Sequence, residues 1–183
     1  EENPCAAEIR AIAEKLGLAS VEGGNPVKVD YKKVYDYTTE QLQKGGLLFV
    51  QPDAEVVEKL QKIEPDIRKL REILDRGLPI WEFKREDFGY NAGGHMMILG
   101  LERLLCAQSL YSLSKNMPEE AAMNLNAGIK LEESLRPKSA IVGALIFIAT
   151  HKLILGTARF MPSVPDNILD YISSTDPVNV ITE

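Results

Sequence analysis

The 183-residue chain holds two histidines and two cysteines, and these set the first limits on its chemistry. Neither His95 nor His151 has a His or Cys three or four residues away, the spacing that puts two metal ligands on one helical face. Glu102 follows His95 by about two helical turns on one side, so His95, Glu102 and His151 are the set that spacing allows for a metal. Structural zinc normally takes four Cys- or His-type ligands, and no metal or cofactor is expected. Cys5 and Cys106 form neither a CxxC knuckle nor a disulfide framework. Cys106 sits in an apolar helical stretch and reads as a buried free thiol; a bridge to Cys5 would need an exported protein. Gly93-Gly94-His95 invites comparison with a phosphate-cradling loop, but GxxxxGK[ST] and a preceding strand are missing, and a flexible helix entry explains it. Asp87 and the Glu132-Glu133 pair have no basic or nucleophilic companion at a recognisable spacing, whereas a glycosidase needs two facing carboxyls at a set separation. There is no GxSxG elbow or cysteine-protease signature, and Ser109 reads as a small packing residue. No catalytic residue is assigned, and the balance leans away from an enzyme.

Composition narrows the classes further. A net charge of −6 and a pI near 5.1, without any long basic run, argue against nucleic acid as a partner. Hydrophobic residues at 45% and charged residues at 26% describe a chain able to form a core and exclude an acidic disordered tail. The longest apolar run, Ala140 to Ala149, is too short for about 30 Å of hydrocarbon, so no membrane insertion is expected. The opening Glu1-Glu2-Asn3-Pro4 has no Met and no charged region ahead of an apolar one. It reads as a trimmed chain or one matured by loss of a leader, with an extracytoplasmic, periplasmic location as the expectation.

The elements that must position these residues read as helices. Asn3 and Pro4 open the first, with Ala6, Ile9, Ile12, Ala13 and Leu16 at helical spacing before Gly17. A loop follows over 18–29; Asp30 then starts a helix bearing Tyr31, Tyr35 and Tyr37 that stops at Gly45-Gly46. Leu47-Leu48-Phe49-Val50 reads as a buried connector. Asp53 caps the clearest periodic stretch, Val56, Leu60, Ile63, Ile67, Leu70 and Leu74. Its other side carries Glu→Lys/Arg pairs four apart, 55 with 59, 58 with 62, 64 with 68 and 72 with 76, which mark a solvated face. Pro65 should kink this helix or begin a new one.

Gly77 ends it, and Leu78 to Gly94 reads as an irregular connector containing Trp81, Phe83, Phe88 and Tyr90. Charge then thins, from 32 charged side chains in residues 1–90 to 16 in 91–183, which predicts more deeply buried helices in the second half. These run from about Met96 to Ser114, from Pro118 through Leu135, and from Ser139 to about Phe160 beyond the Arg136-Pro137-Lys138 break. Asp166 caps a short last one. The chain is expected to be all-α, a helical bundle or irregular α-α superhelix of about six to eight helices. Residues 1–172 should form a single domain and 173–183 a frayed tail.

Residues 96–136 carry a helix, a Lys-Asn-Met-Pro-Glu-Glu turn, and then Ala121, Ala122, Leu125 and Gly128. This resembles the helical hairpin of a tetratricopeptide repeat, whose small residues let two helices approach closely. Ser109 falls where the repeat has its first-helix Gly, and Ser112 where it has Tyr. More broadly, residues 53–160 resemble uncharacterised exported bacterial all-helical proteins with a connector like Leu78-Pro79-Ile80-Trp81 and an Ala-rich helix like Glu120-Ala121-Ala122. The resemblance implies a fold and no activity.

Two functions follow as expectations. The first is a non-enzymatic interaction module for a protein or peptide partner, binding through Trp81, Phe83, Tyr90 and His95 beside the tyrosine helix. The second is a helical bundle holding a small ligand or metal around His95, Tyr111 and His151.

Overall fold

Asn3 begins the fold much as its position predicts. Its Oδ1 accepts from Ala6 N at 3.0 Å, and Pro4 occupies the first helical turn. The same amide reaches the connector after the third helix, accepting from Ile80 N at 3.0 Å and donating to Leu78 O at 3.0 Å. In this computed structural model, residues 2–19, 29–43, 49–82, 85–86, 89–90, 93–135 and 141–175 are described. They form α1 (Pro4–Lys15), α2 (Lys32–Gln43), α3 (Ala54–Arg76), α4 (Gly93–Ser114), α5 (Pro118–Glu133), α6 (Ile141–Ala158) and α7 (Asp166–Ser174). The connector holds one two-residue antiparallel pairing, β1 (Arg85–Glu86) with β2 (Gly89–Tyr90). The expected loop at 20–28, the Gly45-Gly46 stop, Leu47-Leu48, Phe83, Asp87, Phe88, the 136–140 break with Ser139, and the tail from 176 lie outside the described residues.

The periodic stretch is one helix, α3, with Pro65 inside it, where the missing N–H leaves the Gln61 carbonyl without its usual helical partner. Its apolar side, Leu60, Ile63, Ile67, Leu70 and Leu74, joins Ile9 and Ile12 of α1 and Leu101, Leu104 and Leu105 of α4 in the larger core. Each such side chain contributes about 1.5–3 kcal/mol on burial. A smaller core lies among α4 to α7, built on Cys106, Leu125, Ile129, Ile154, Ile168 and Tyr171. Asp166 stands inside the first turn of α7 with Pro165 as the flanking residue, and the helix continues to Ser174, beyond the expected boundary.

The charges of α3 do more than face water. Glu55–Lys59 and Glu64–Arg68 pair as their spacing suggests, at 3.2 and 2.6 Å. Arg76, however, pairs with Glu8 of α1 at 2.6 Å and not with Glu72. Lys15 reaches Asp66, Lys33 reaches Glu55 and Lys130 reaches Asp75, so ion pairs tie α3 to α1, α2 and α5. Elsewhere, Arg159 donates to the last carbonyls of α2, Gln41 O at 2.6 Å and Leu42 O at 3.0 Å. Gln41 in turn pairs its amide with both backbone groups of Val50.

The turn from α4 to α5 depends on Asn116 at φ 58°, a left-handed conformation that Asn adopts more readily than most residues. Met117 N and Lys115 N then both close on Ser112 O at 3.0 Å. No helix among the described residues is long and apolar enough to cross a membrane.

Asn3→Ala removes a helix cap and both side-chain bonds to the connector, leaving the backbone bond from Asn3 N to Ile80 O. It should lower stability by about 1–2 kcal/mol, read as a shift in the urea midpoint with an unchanged slope.

Candidate functional site

Two places combine side chains from several helices. The first is sealed inside the smaller core, where α4 supplies Glu102 and Cys106, α5 supplies Glu132, α6 His151 and α7 Tyr171. All five are buried, and both glutamates are fully so. Tyr171 donates its hydroxyl to Glu132 Oε1 at 2.6 Å, and His151 Nδ1 lies 2.8 Å from the same oxygen, which assigns that nitrogen its proton. The His151 ring stacks on Phe147, with centroids 5.9 Å apart and planes 10° from parallel. Cys106 Sγ sits 3.7 Å from Glu102 Oε1. The second oxygens, Oε2 of Glu102 and Oε2 of Glu132, are buried without a hydrogen-bond partner.

Gly128 explains how Glu102 fits. A Cβ added there would run into Glu102 Oε1 and lie 3.0 Å from Cδ. The small residue expected to let two helices approach closely makes room for a carboxyl. Ser109, expected as plain packing, donates across the hairpin to Ala121 O at 3.0 Å.

Burial pushes the Glu102 carboxyl well above the usual carboxylate range, and the neighbouring Glu132 pushes it further the same way. Burial likewise raises the Cys106 thiol far above its ordinary value. Burial thus favours the protonated forms of a carboxyl and a thiol that lie together away from solvent.

His95 takes no part in this cluster. It is buried on the first turn of α4, its Nε2 facing Gly143 of α6, and burial lowers its basicity. Gly143 and His151 stand two turns apart on α6, about 12 Å, so the two histidines do not converge. Tyr111 lies elsewhere again, accepting from Gln61 Nε2 of α3 at 3.1 Å. Among the described residues, no three His, Cys, Asp or Glu side chains come together as metal ligands. Trp81 is 8% exposed in the larger core and donates Nε1–H to Ser134 Oγ at 2.7 Å. Phe83 and the side chain of Tyr90 lie outside the described residues.

Sequence reasoning tied Glu102 to His95 and left Glu132 without a companion; it passed over Tyr171. The available signal was phase. Glu102 falls in register with Ile98 and Leu105, and Glu132 with Leu125 and Ile129, all buried positions.

The second place is open. Between α3 and the α4–α5 hairpin runs a groove of about 250 Å³, lined by Arg68, Arg71, Tyr111, Lys115, Met117 and Glu120 among others. A neighbouring depression of about 250 Å³ shares Arg68 and Arg71 and adds Glu72, Asp75, Met123 and Asn126. Arg71, its side chain 12% exposed, is fixed on the floor by Glu120 at 2.5 Å and Asn124 Oδ1 at 3.1 Å. Lys115 Nζ lies 5.6 Å from the centre of the Tyr111 ring. Met117 and Met123 remain 48% and 50% exposed.

Gly128→Ala should cost about 1–3 kcal/mol by overpacking, and Glu102→Ala in the same chain should recover part of that loss, a coupling read from a double-mutant cycle of denaturation midpoints. Tyr171→Phe, which leaves Glu132 one donor short, should cost about 1–3 kcal/mol in the same measurement. Scans against family models and searches of curated proteins and solved structures find no match to the chain, so its function has to be argued from this geometry.

Proposed function

We propose that the chain is a non-enzymatic helical interaction module that holds an extended segment of a partner protein in the groove between α3 and the α4–α5 hairpin. The observation that carries this reading is the lining of that groove. Three basic side chains, Arg68, Arg71 and Lys115, stand against two acidic ones, Glu64 and Glu120, on a chain whose net charge is −6. The groove therefore suits a segment bearing carboxylates, which the acidic remainder of the surface would repel. Exposed Met117 in its lining adds flexible apolar contact of the kind that adapts to a peptide. On this reading the partner is held by the groove and not by the aromatic connector, whose Trp81 packs in the larger core.

The second reading, a bundle that holds a small ligand or metal, finds less support. Its histidines stand apart, and the polar groups that do meet are bonded to one another behind buried walls.

Peptides selected from a random displayed library against the intact chain provide the test. They should be rich in Asp, Glu and apolar residues, shift amide signals along the facing sides of α3 and α5, and bind at least tenfold more weakly to Arg68→Glu/Lys115→Glu. Shifts confined to another face, or binding indifferent to the charge reversal, would sink the proposal.

A further inference from the structure

The groups that act on Glu102 form a short inventory. From α4 itself there is the Cys106 thiol, and from α5 there is Glu132. Through Glu132 the inventory extends to His151 on α6 and Tyr171 on α7, both bonded to its Oε1. Among the described residues, α2 and α3 bring no charged group to it, and Lys130 of α5 is engaged by Asp75 at 2.7 Å. Two fully buried carboxyls thus stand side by side with no Lys or Arg between them among the described residues, and the donors are unevenly shared. Glu132 has two, while Glu102 has a weakly polar thiol at 3.7 Å. An ionised Glu102 would find no donor for Oε2 and would face a second carboxyl. Its carboxyl rests against Gly128 of α5, where a Cβ would lie 3.0 Å from its Cδ.

We infer that Glu102, recessed against Gly128 beside Glu132, is a proton-holding site whose occupancy decides how firmly α4 is held to α5, so that the bundle tightens in acid and loosens as the pH rises. The direction follows from where the proton sits. The folded chain keeps a proton on Glu102 at pH values where the unfolded chain has released it. The stability this contributes is complete below the ordinary Glu range, near 4.3, declines as pH climbs above it, and is gone once Glu102 has titrated in the folded state. Across that window the folding constant falls by up to about tenfold per pH unit from this one group. His95 works in the opposite sense. Burial lowers its proton affinity, so its contribution is complete above about 6.5 and is lost as pH falls. The two are separated by comparing the wild type with Glu102→Gln, which keeps His95.

The test uses the full chain in two measurements. With the glutamate side-chain carboxyls labelled with carbon-13, one resonance should titrate above the ordinary carboxylate range and be absent from Glu102→Gln. In denaturant titrations between pH 5 and 8, the difference in stability between wild type and Glu102→Gln should shift steadily against the wild type as pH rises. If Glu102→Gln does not fold, the wild-type carboxyl titration decides by itself. Glutamate resonances that all titrate in the ordinary range, or a stability difference that stays flat across this pH range, would overturn the inference.

Discussion

A carboxyl group taken out of water without a cation beside it must stay neutral or be met by hydrogen-bond donors, because the bare charge costs several kcal/mol or more. The α4 to α7 junction places two such groups next to each other, and its other unusual features answer to that constraint. Tyr171 and His151 both donate to Glu132, Phe147 holds the His151 ring by stacking, and Gly128 opens the space that the Glu102 carboxyl fills. Replacing any one of these by an ordinary core residue would leave a buried polar atom unmet or a recess filled, so the helices here are positioned by polar geometry as much as by apolar contact.

The larger core follows a different rule. There α3 supplies an unbroken apolar stripe, and α1, α2 and α4 close around it. Ion pairs at its margins run to α1, α2 and α5, although exposed pairs of this kind contribute little individually. Their effect is on orientation. Arg71, held by Glu120 and Asn124, sets the spacing between α3 and α5 and so keeps the groove open above it. One side of the α4–α5 hairpin thus faces an accessible mixed-charge groove, and another faces a sealed polar junction.

Much of the architecture was legible in the residues alone. Asn3 with Pro4, Asp53, Gly17 and Pro118 mark helix ends by local hydrogen bonding and backbone restriction, which act within a turn of the residue concerned. The stripe from Val56 to Leu74 announces a helix because its period is a property of the chain. Even the hairpin turn could be placed, since Asn116 and Pro118 suit its conformation. What went unread were the pairings of charge across elements. Spacing offered Glu72 to Arg76, while the folded chain brings Glu8, and nothing within one helix could reveal that.

The amino-acid sequence by itself therefore determined the all-helical character, the helix ends and the apolar faces, all of which depend on neighbours a few residues apart. Only the tertiary structure decided which polar groups meet. Glu102 and Tyr171 are brought to Glu132 from distant helices, His95 on α4 meets α6 at Gly143, about two turns from His151, and Trp81 is drawn into the core. The physical reason is that a buried polar side chain takes its energy from partners supplied by other helices, and helical periodicity carries no information about which helix lies alongside.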